Sequence, residues 1–212
     1  NGWNALFWNN HDQPRANDRF GDPERFPAET ATMLATVIHL LRGTPYVYMG
    51  EEIGMTDPEY CSMSDYVDVE ALNAYKALVA KGIDEDEAFA VVHGKARDNA
   101  RTPMQWDASE NAGFSTGTPW LRPTNQDRIS VEREERGGRI LPYYRRLIKL
   151  RKTHPIIAQG AYESFEMNNP DAFGYIRELD GQRLLVLANF RDHAVSVDIP
   201  EEFRSAETLI AN

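Results

Sequence analysis

The fold class is decided by residues 2–15, which read GWNALFWNNHDQPR. Residues 2–8 form a short apolar and aromatic run, which is typical of a strand buried on both faces of a parallel sheet. Residues 9–15 are polar and follow at once, and in parallel α/β folds the functional side chains lie just past the carboxyl ends of the strands. The stretch therefore predicts a buried strand followed by a functional loop.

The next segments repeat this order of elements. Apolar residues recur at helical spacing over residues 28–42, with Pro27 suited to open the helix and Gly43 suited to end it. Residues 45–49 form a second short apolar run, and the polar residues 50–54 follow it. Strand, loop, helix, strand and loop in this order indicate a parallel α/β unit.

The remainder of the chain contains a long excursion and a β-rich tail. Residues 95–125 are rich in Gly, Pro, Thr and Asn and predict an ordered loop. Apolar spacing and capping residues predict three helices, over residues 68–81, 84–93 and 139–153. After Pro155 the pattern predicts four short antiparallel strands, over residues 162–167, 173–179, 183–190 and 194–199.

The composition excludes several classes of protein. The 212 residues are 42% hydrophobic and 26% charged, as in ordinary globular chains. No apolar run reaches the roughly 18 residues that span a bilayer and no signal peptide opens the chain, so no membrane partner is expected. The single cysteine, Cys61, excludes an internal disulfide and a cysteine-built zinc site, and an unpaired thiol predicts a cytoplasmic protein.

The charge of the chain bears on its partners. With 23 basic and 33 acidic side chains, the formal net charge is −10, and residues 1–120 hold 19 of the acidic and 9 of the basic side chains. This excess disfavours binding to a nucleic-acid backbone or an anionic membrane, so no nucleic-acid partner is expected.

The first polar loop carries the candidate functional residues. Asn10, His11, Asp12 and Arg15 supply an amide, an imidazole, a carboxylate and a guanidinium within a few residues. Such a set suits hydrogen bonding to a polyol, because each sugar hydroxyl can both donate and accept a hydrogen bond. A carboxylate also stabilises a cationic transition state. Taken alone, the same residues are better explained as a solvated turn capped by Asn or Asp.

Three ordered motifs together resemble the α-amylase family, glycoside hydrolase family 13. They are FWNNHDQPR at residues 7–15, GTPYVYMGEEIGM at residues 43–55 and RDNARTPMQWD at residues 97–107. The resemblance extends over essentially all 212 residues. It is nearest to the branch of oligo-1,6-glucosidases, α-glucosidases and trehalose-6-phosphate hydrolases. It implies a hydrolase of carbohydrate metabolism, a glycosidase.

The resemblance implies an α/β chain with the C-terminal part of a (β/α)8 TIM barrel and a small antiparallel β-sandwich, both incomplete. Residues 1–154 would supply strands seven and eight with their helices, including a long loop over about 50–138, and residues 155–212 a truncated sandwich. A whole barrel takes about 250 residues. We therefore expect this chain to be a C-terminal fragment, inactive alone and partnered by its missing N-terminal half.

The resemblance also assigns roles to residues. Members of the family are retaining hydrolases that use a nucleophile and an acid/base carboxylate about 5–5.5 Å apart; both follow strands four and five, and no residue here matches them. Asp12 matches the carboxylate that stabilises the transition state, and His11 and Arg15 match groups that contact the same sugar, with Asn10 assigned beside them. The resemblance thus implies part of an α-glucosidase that hydrolyses short α-glucosides.

Further residues are assigned to the cleft. Arg101, Trp106 and Glu52 are predicted to form its wall, where a tryptophan face can stack on a sugar. A packed tryptophan explains the sequence equally well, and for Glu52 the resemblance favours a structural role in the loop after strand eight. No metal or cofactor is expected in these residues. The calcium loop known in this branch follows the first barrel strand, which would lie in the missing N-terminal part.

Two alternative functions stay open at the level of sequence. The heavy-chain subunits of amino-acid transporters resemble these glucosidases but serve as non-catalytic scaffolds, and the retention of the sugar-contacting set favours the enzyme. A transglucosylase or isomerase is the second alternative, because water and a sugar acceptor compete for the same covalent intermediate. The linkage, α-1,6, α-1,4 or that of trehalose-6-phosphate, is left open.

Overall fold

The computed structural model describes residues 2–212, and the chain divides into two units. Unit 1 contains residues 2–8, 20–47 and 139–212, and unit 2 contains residues 9–19 and 48–138. The chain passes into unit 2 at residue 9, directly after the first predicted strand, and at residue 48, near the end of the second. Both polar loops that were predicted to be functional therefore belong to unit 2.

The two predicted barrel strands pair in parallel in unit 1, which confirms the α/β prediction for this segment. Strand β1 (Ala5–Leu6) lies beside β2 (Thr44–Pro45). The N–H of Thr44 donates to the Asn4 carbonyl and the N–H of Tyr46 to the Leu6 carbonyl, each at 2.8 Å. Strands β1 and β2 are shorter than the predicted runs at 2–8 and 45–49, because few backbone hydrogen bonds join the two segments.

Helix α2 (Pro27–His39) connects the two strands, as its apolar spacing predicts, and Pro27 occupies its first turn. The turn into β2 requires Gly43, whose φ is +141°. A Cβ at this position would lie 2.5 Å from the Asn4 carbonyl oxygen. The glycine thus permits both the backbone conformation and the close approach of the two strands.

Helices α6 (Ile140–Thr153) and α7 (Pro155–Gln159) pack with α2 in the core of unit 1. The Tyr143 and Thr36 hydroxyls are 2.7 Å apart and link α6 to α2. The buried apolar residues of this core come from the helices and from the sheet that follows them: Ala31, Ala35, Leu40, Ile140, Tyr143, Tyr144, Leu147, Ile156, Ile157, Tyr175 and Val186.

The β-rich tail forms a three-stranded antiparallel sheet in the order β3-β4-β5. Its strands are β3 (Ala161–Ser164), β4 (Ala172–Leu179) and β5 (Gln182–Asn189). The predicted turn at Asp180 and Gly181 is confirmed, since both have positive φ, as a two-residue hairpin requires. The prediction of a fourth strand over residues 194–199 was wrong, because those residues form no strand.

Unit 2 consists of short helices and long ordered loops. Helix α1 (Ala16–Phe20) follows the first polar loop, and α3 (Val69–Ala80), α4 (Glu85–His93) and α5 (Val131–Gly137) follow the second. The sequence predicted α3 and α4 but missed α5, whose Ser130 cap accepts a hydrogen bond from the N–H of Arg133. Within residues 2–212 no helix is long and apolar enough to cross a membrane.

Candidate active site

The first polar loop leaves β1 and is fixed by Asn9. The Oδ1 atom of Asn9 accepts a hydrogen bond from the N–H of Ala16 at 2.6 Å, which joins the two ends of the loop. Its Nδ2 atom donates to Oε2 of Glu51 at 2.7 Å, so the first polar loop is tied to the second. Asn9 is buried, and no role was predicted for it from the sequence.

Asp12 stands in the middle of this loop with about half of its side chain exposed. Its N–H donates to Oδ1 of Asn10 at 2.8 Å, which makes an Asx turn and holds the backbone. Arg101 donates from Nη2 to Oδ1 of Asp12 at 2.9 Å and from Nε to the His11 carbonyl at 2.7 Å. The structure therefore brings Asp12 together with Arg101, a pair 89 residues apart in sequence.

His11 is the most exposed member of the group, with 70% of its side chain accessible. Its Nε2 atom lies 3.3 Å from Oδ2 of Asp12, the carboxylate oxygen opposite the one that Arg101 holds. An imidazole and a carboxylate side by side offer a donor and acceptors to the hydroxyls of a bound polyol.

Arg15, in contrast, is buried, with 1% of its surface exposed. Its Nη1 atom donates to the Met49 carbonyl at 2.6 Å, and its Nη2 atom lies 3.5 Å from the Thr102 hydroxyl. The guanidinium also lies over the ring of Tyr48. Burial lowers the pKa of Arg15, and the Tyr48 and Asp57 side chains oppose this shift.

Asp57 is a half-buried carboxylate that links several of these segments, and the sequence pattern did not predict it. Its Oδ1 atom accepts the N–H of Arg15 at 2.7 Å, and its Oδ2 atom accepts Nδ2 of Asn99 at 3.0 Å. Its own N–H donates to Oδ2 of Asp18 at 2.9 Å. Burial, reinforced by the nearby Asp18 carboxylate, raises the pKa of Asp57 to about 7. No sequence signal marks this residue, since it stands alone in a polar loop.

The two other predicted wall residues do not join the Asp12 group. Glu52 is half-buried on a short 3-10 turn, and its Oε2 atom is buried without a hydrogen-bond partner in the described part of the chain. Trp106 is half-exposed, and its carbonyl accepts the N–H of Glu132. Across residues 2–212 no group of three or more His, Cys, Asp or Glu side chains is arranged to hold a metal ion.

Comparison with known proteins gives one family and a consistent set of relatives. The sequence model described as the catalytic domain of alpha amylase matches residues 1–160. The trehalose-6-phosphate hydrolase of Bacillus subtilis (strain 168) is 43% identical over all of this chain and 39% of its own length. The oligo-1,6-glucosidase of Parageobacillus thermoglucosidasius is 46% identical over all of this chain and 38% of its own length. The chain thus spans about two fifths of these curated relatives.

Solved structures give the same result at the level of the fold. A mutant trehalose-6-phosphate hydrolase of Bacillus licheniformis superposes with a TM-score of 0.90 at 43% identity, over 99% of this chain and 39% of that one. A mutant trehalulose synthase MutB superposes with a TM-score of 0.92 at 39% identity, over 99% of this chain and 38% of that one. The chain therefore has the fold of the corresponding portion of these TIM-barrel enzymes.

Proposed function

The chain belongs to the α-amylase family of glycoside hydrolases, and from this premise we propose that it supplies the sugar-binding part of a retaining α-glucosidase acting on short α-glucosides. The observation that carries the proposal is the half-exposed carboxylate of Asp12, which Arg101 fixes through one oxygen. The other oxygen remains beside the exposed His11 imidazole, available for the hydroxyls of a sugar ring.

In the proposed mechanism Asp12 acts on the sugar ring and not on the scissile bond. Cleavage with retention passes through a transition state like an oxocarbenium ion, which develops positive charge on the ring. A carboxylate held close to this charge lowers its energy, and its hydrogen bonds to ring hydroxyls orient the sugar. We propose that the nucleophile and the acid/base carboxylate come from the N-terminal half of the barrel, which would complete the site.

Within the same proposal, His11 hydrogen-bonds the ring that Asp12 holds. Arg15 and Asn10 shape the loop: Arg15 through its buried bond to Met49, and Asn10 through its bond to the Asp12 N–H. Direct contact of either side chain with sugar stays a prediction. Trp106 and Glu52 are proposed to wall the cleft, the tryptophan by presenting its exposed ring to a sugar face.

The test uses the full-length protein and the variant Asp12→Asn. The amide keeps the size of the carboxylate but removes its charge, so we expect kcat on p-nitrophenyl α-glucoside to fall by about 10²–10³-fold or more. The melting temperature should change little, because Asp12 is half-exposed. Asp127→Asn, an exposed acid of the same unit, is the control and should keep full activity. An Asp12→Asn enzyme with unchanged turnover would refute the assignment.

A second candidate, a sucrose isomerase, is favoured by one specific observation. The chain superposes closely on trehalulose synthase MutB, a protein also solved in complex with the substrate sucrose. Both reactions can begin from one covalent glucosyl intermediate, which water or a second sugar then attacks. Product analysis after incubation with sucrose, isomaltose and trehalose-6-phosphate separates them: released glucose supports the hydrolase, and an isomerised disaccharide supports the isomerase. No turnover of any of these sugars supports the scaffold.

A further inference from the structure

Arg97 binds a carboxylate that plays no part in the function proposed above. Its Nε and Nη2 atoms donate to Oδ2 and Oδ1 of Asp68 at 3.1 and 2.7 Å, which is the two-pronged geometry of a strong arginine–carboxylate pair. Nη2 also lies 3.2 Å from the exposed carboxylate of Glu70. The third guanidinium nitrogen, Nη1, takes no part in these contacts with Asp68 and Glu70.

Asp68 is unusual for a residue that precedes a helix. It occupies the N-cap position of α3, where the sequence predicts that its carboxylate should cap the helix, yet its side chain makes no cap hydrogen bond. The carboxylate is instead held by Arg97, which lowers the pKa of Asp68. Its backbone is fixed as well, because the N–H groups of Val67 and Asp68 both donate to the fully buried Asp98 carboxylate. Asp68 is therefore a rigid anchor for Arg97.

The remaining Arg97 nitrogen faces the candidate active site. Nη1 lies 3.7 Å from Oδ1 of Asp12, an ion-pair distance, and this is the same oxygen that accepts the hydrogen bond from Arg101. Arg101 in turn approaches Asp68 at 3.9 Å. Two arginines from one short 3-10 turn and two carboxylates thus alternate in charge around a closed circuit.

We propose that Arg97 is a positioning residue for Asp12, held in place by its two-pronged bond to Asp68. The proposal rests on the function proposed for Asp12 and extends it to residues that do not contact the sugar. Arg101 alone holds Oδ1 by one hydrogen bond, around which the carboxylate can rotate. The second cation, anchored through Asp68, restricts that rotation and keeps Oδ2 directed toward the substrate.

The substitutions that test this role change charge and geometry separately. Arg97→Lys keeps a cation but cannot hold Asp68 through two parallel bonds. Asp68→Asn keeps the size of the side chain and a residue that caps helices well, but loses the carboxylate that anchors Arg97. Arg97→Gln removes the cation. In each variant the Asp12 carboxylate is present but less firmly oriented.

The measurements are kcat and KM on p-nitrophenyl α-glucoside, calorimetric affinity for 1-deoxynojirimycin and the melting temperature, all with the full-length protein. We expect each variant to lower kcat by about 10- to 100-fold, since small displacements of an active-site group cost this much. KM should change by less than about threefold, because the loss concerns the transition state. The double variant Arg97→Gln with Asp68→Asn should be no slower than the worse single variant, because both act through one contact.

The matched control is Arg122→Gln. Arg122 bonds Asp65 through Nε and Nη2, both at 3.2 Å, in the same unit, and it pairs with a different carboxylate from those of the Asp12 group. The Arg122→Gln variant should leave kcat unchanged. Its change in melting temperature measures what the loss of an arginine–carboxylate pair costs in stability alone. Two results with an active wild type would overturn the role of Arg97. One is an Arg97→Gln variant with the kcat of the wild type, and the other is an Arg97→Lys variant with the kcat of the wild type. A wild type that neither turns over a glucoside nor binds 1-deoxynojirimycin overturns the proposed function as well.

Discussion

Arg15 and Asp57 show at the scale of single residues how the candidate site is supported. A buried charge is costly unless hydrogen bonds and opposite charges compensate it. The Arg15 guanidinium is compensated by the Met49 carbonyl, and the Asp57 carboxylate by the Arg15 and Asn99 N–H groups. The first polar loop is thus held within unit 2 by the buried Arg15 and the half-buried Asp57.

The raised pKa of Asp57 predicts a pH dependence of stability. In the folded protein the pKa is about 7, against an ordinary value of 3.8, so between these values the folded state holds a proton that the unfolded chain has released. The free energy of unfolding therefore decreases as the pH rises through this interval, by up to about 1.4 kcal/mol per pH unit from this group. The stabilisation from the protonated Asp57 is fully present below about pH 3.8 and is lost above about pH 7.

The variant Asp18→Asn tests whether the raised pKa of Asp57 causes this pH dependence. The amide oxygen can still accept the Asp57 N–H, but the negative charge that helps raise the pKa of Asp57 is gone. We expect the fall in melting temperature between about pH 5 and about pH 8 to be smaller in Asp18→Asn than in the wild type. Asp127→Asn, which removes an exposed charge, should retain the wild-type fall. Identical falls in all three proteins would contradict the explanation.

At the scale of elements, the end of α2 depends on a residue from α6. Arg151 donates from Nη1 to the carbonyls of His39 and Leu41, each at 2.7 Å, and from Nη2 to the Gly43 carbonyl. The last carbonyls of a helix have no partner within the helix and need one elsewhere. Arg151 supplies hydrogen-bond donors to these carbonyls and so fixes the turn from α2 into β2.

We therefore expect Arg151→Leu to destabilise the full-length protein. Several partly buried carbonyls would lose a charged donor, at a cost of about 2 kcal/mol or more. Urea denaturation followed by tryptophan fluorescence measures this loss. Lys149→Leu, an exposed position on the same helix, should leave the midpoint nearly unchanged. Equal midpoints for the two variants would show that the bonds of Arg151 add no stability.

At the scale of the whole molecule, β1 and β2 form a two-stranded pair with exposed aromatic residues beside it. Trp3, Phe7 and Tyr46 are 55%, 49% and 58% exposed, all in unit 1. Unpaired strand edges and exposed apolar side chains are where other chains attach. They are also where the proposed N-terminal half of the barrel would add its strands.

We predict that residues 1–212 expressed alone will aggregate or form dimers. Light scattering after size-exclusion chromatography measures this, and co-expression of the upstream part of the protein should suppress it by covering the strand pair. A monomeric 212-residue chain with one cooperative melting transition would contradict the prediction, whatever the activity of the full-length protein.

Local features of the chain could be predicted from the sequence, while features that depend on distant partners could not. Helices α2, α3, α4 and α6 and the hairpin at Asp180 and Gly181 follow from apolar spacing and turn residues, which act over a few neighbours. Helix α5 was missed because residues 131–137 are mostly charged, whereas residues 195–199 alternate between apolar and polar side chains and still form no strand. Their conformation depends on packing that spacing alone does not encode.

The family, the longer helices and the loop that carries Asp12 could be identified from the sequence alone, because motifs and periodicity are properties of adjacent residues. The folded chain alone shows that Arg15 is buried, that Asp57 lies against Asp18, and that Arg97 joins Asp68 to Asp12. These relations link residues about 30 to 90 positions apart. Burial and charge pairing arise only when the folded backbone brings such residues together, so their energies are set by the fold and not by spacing.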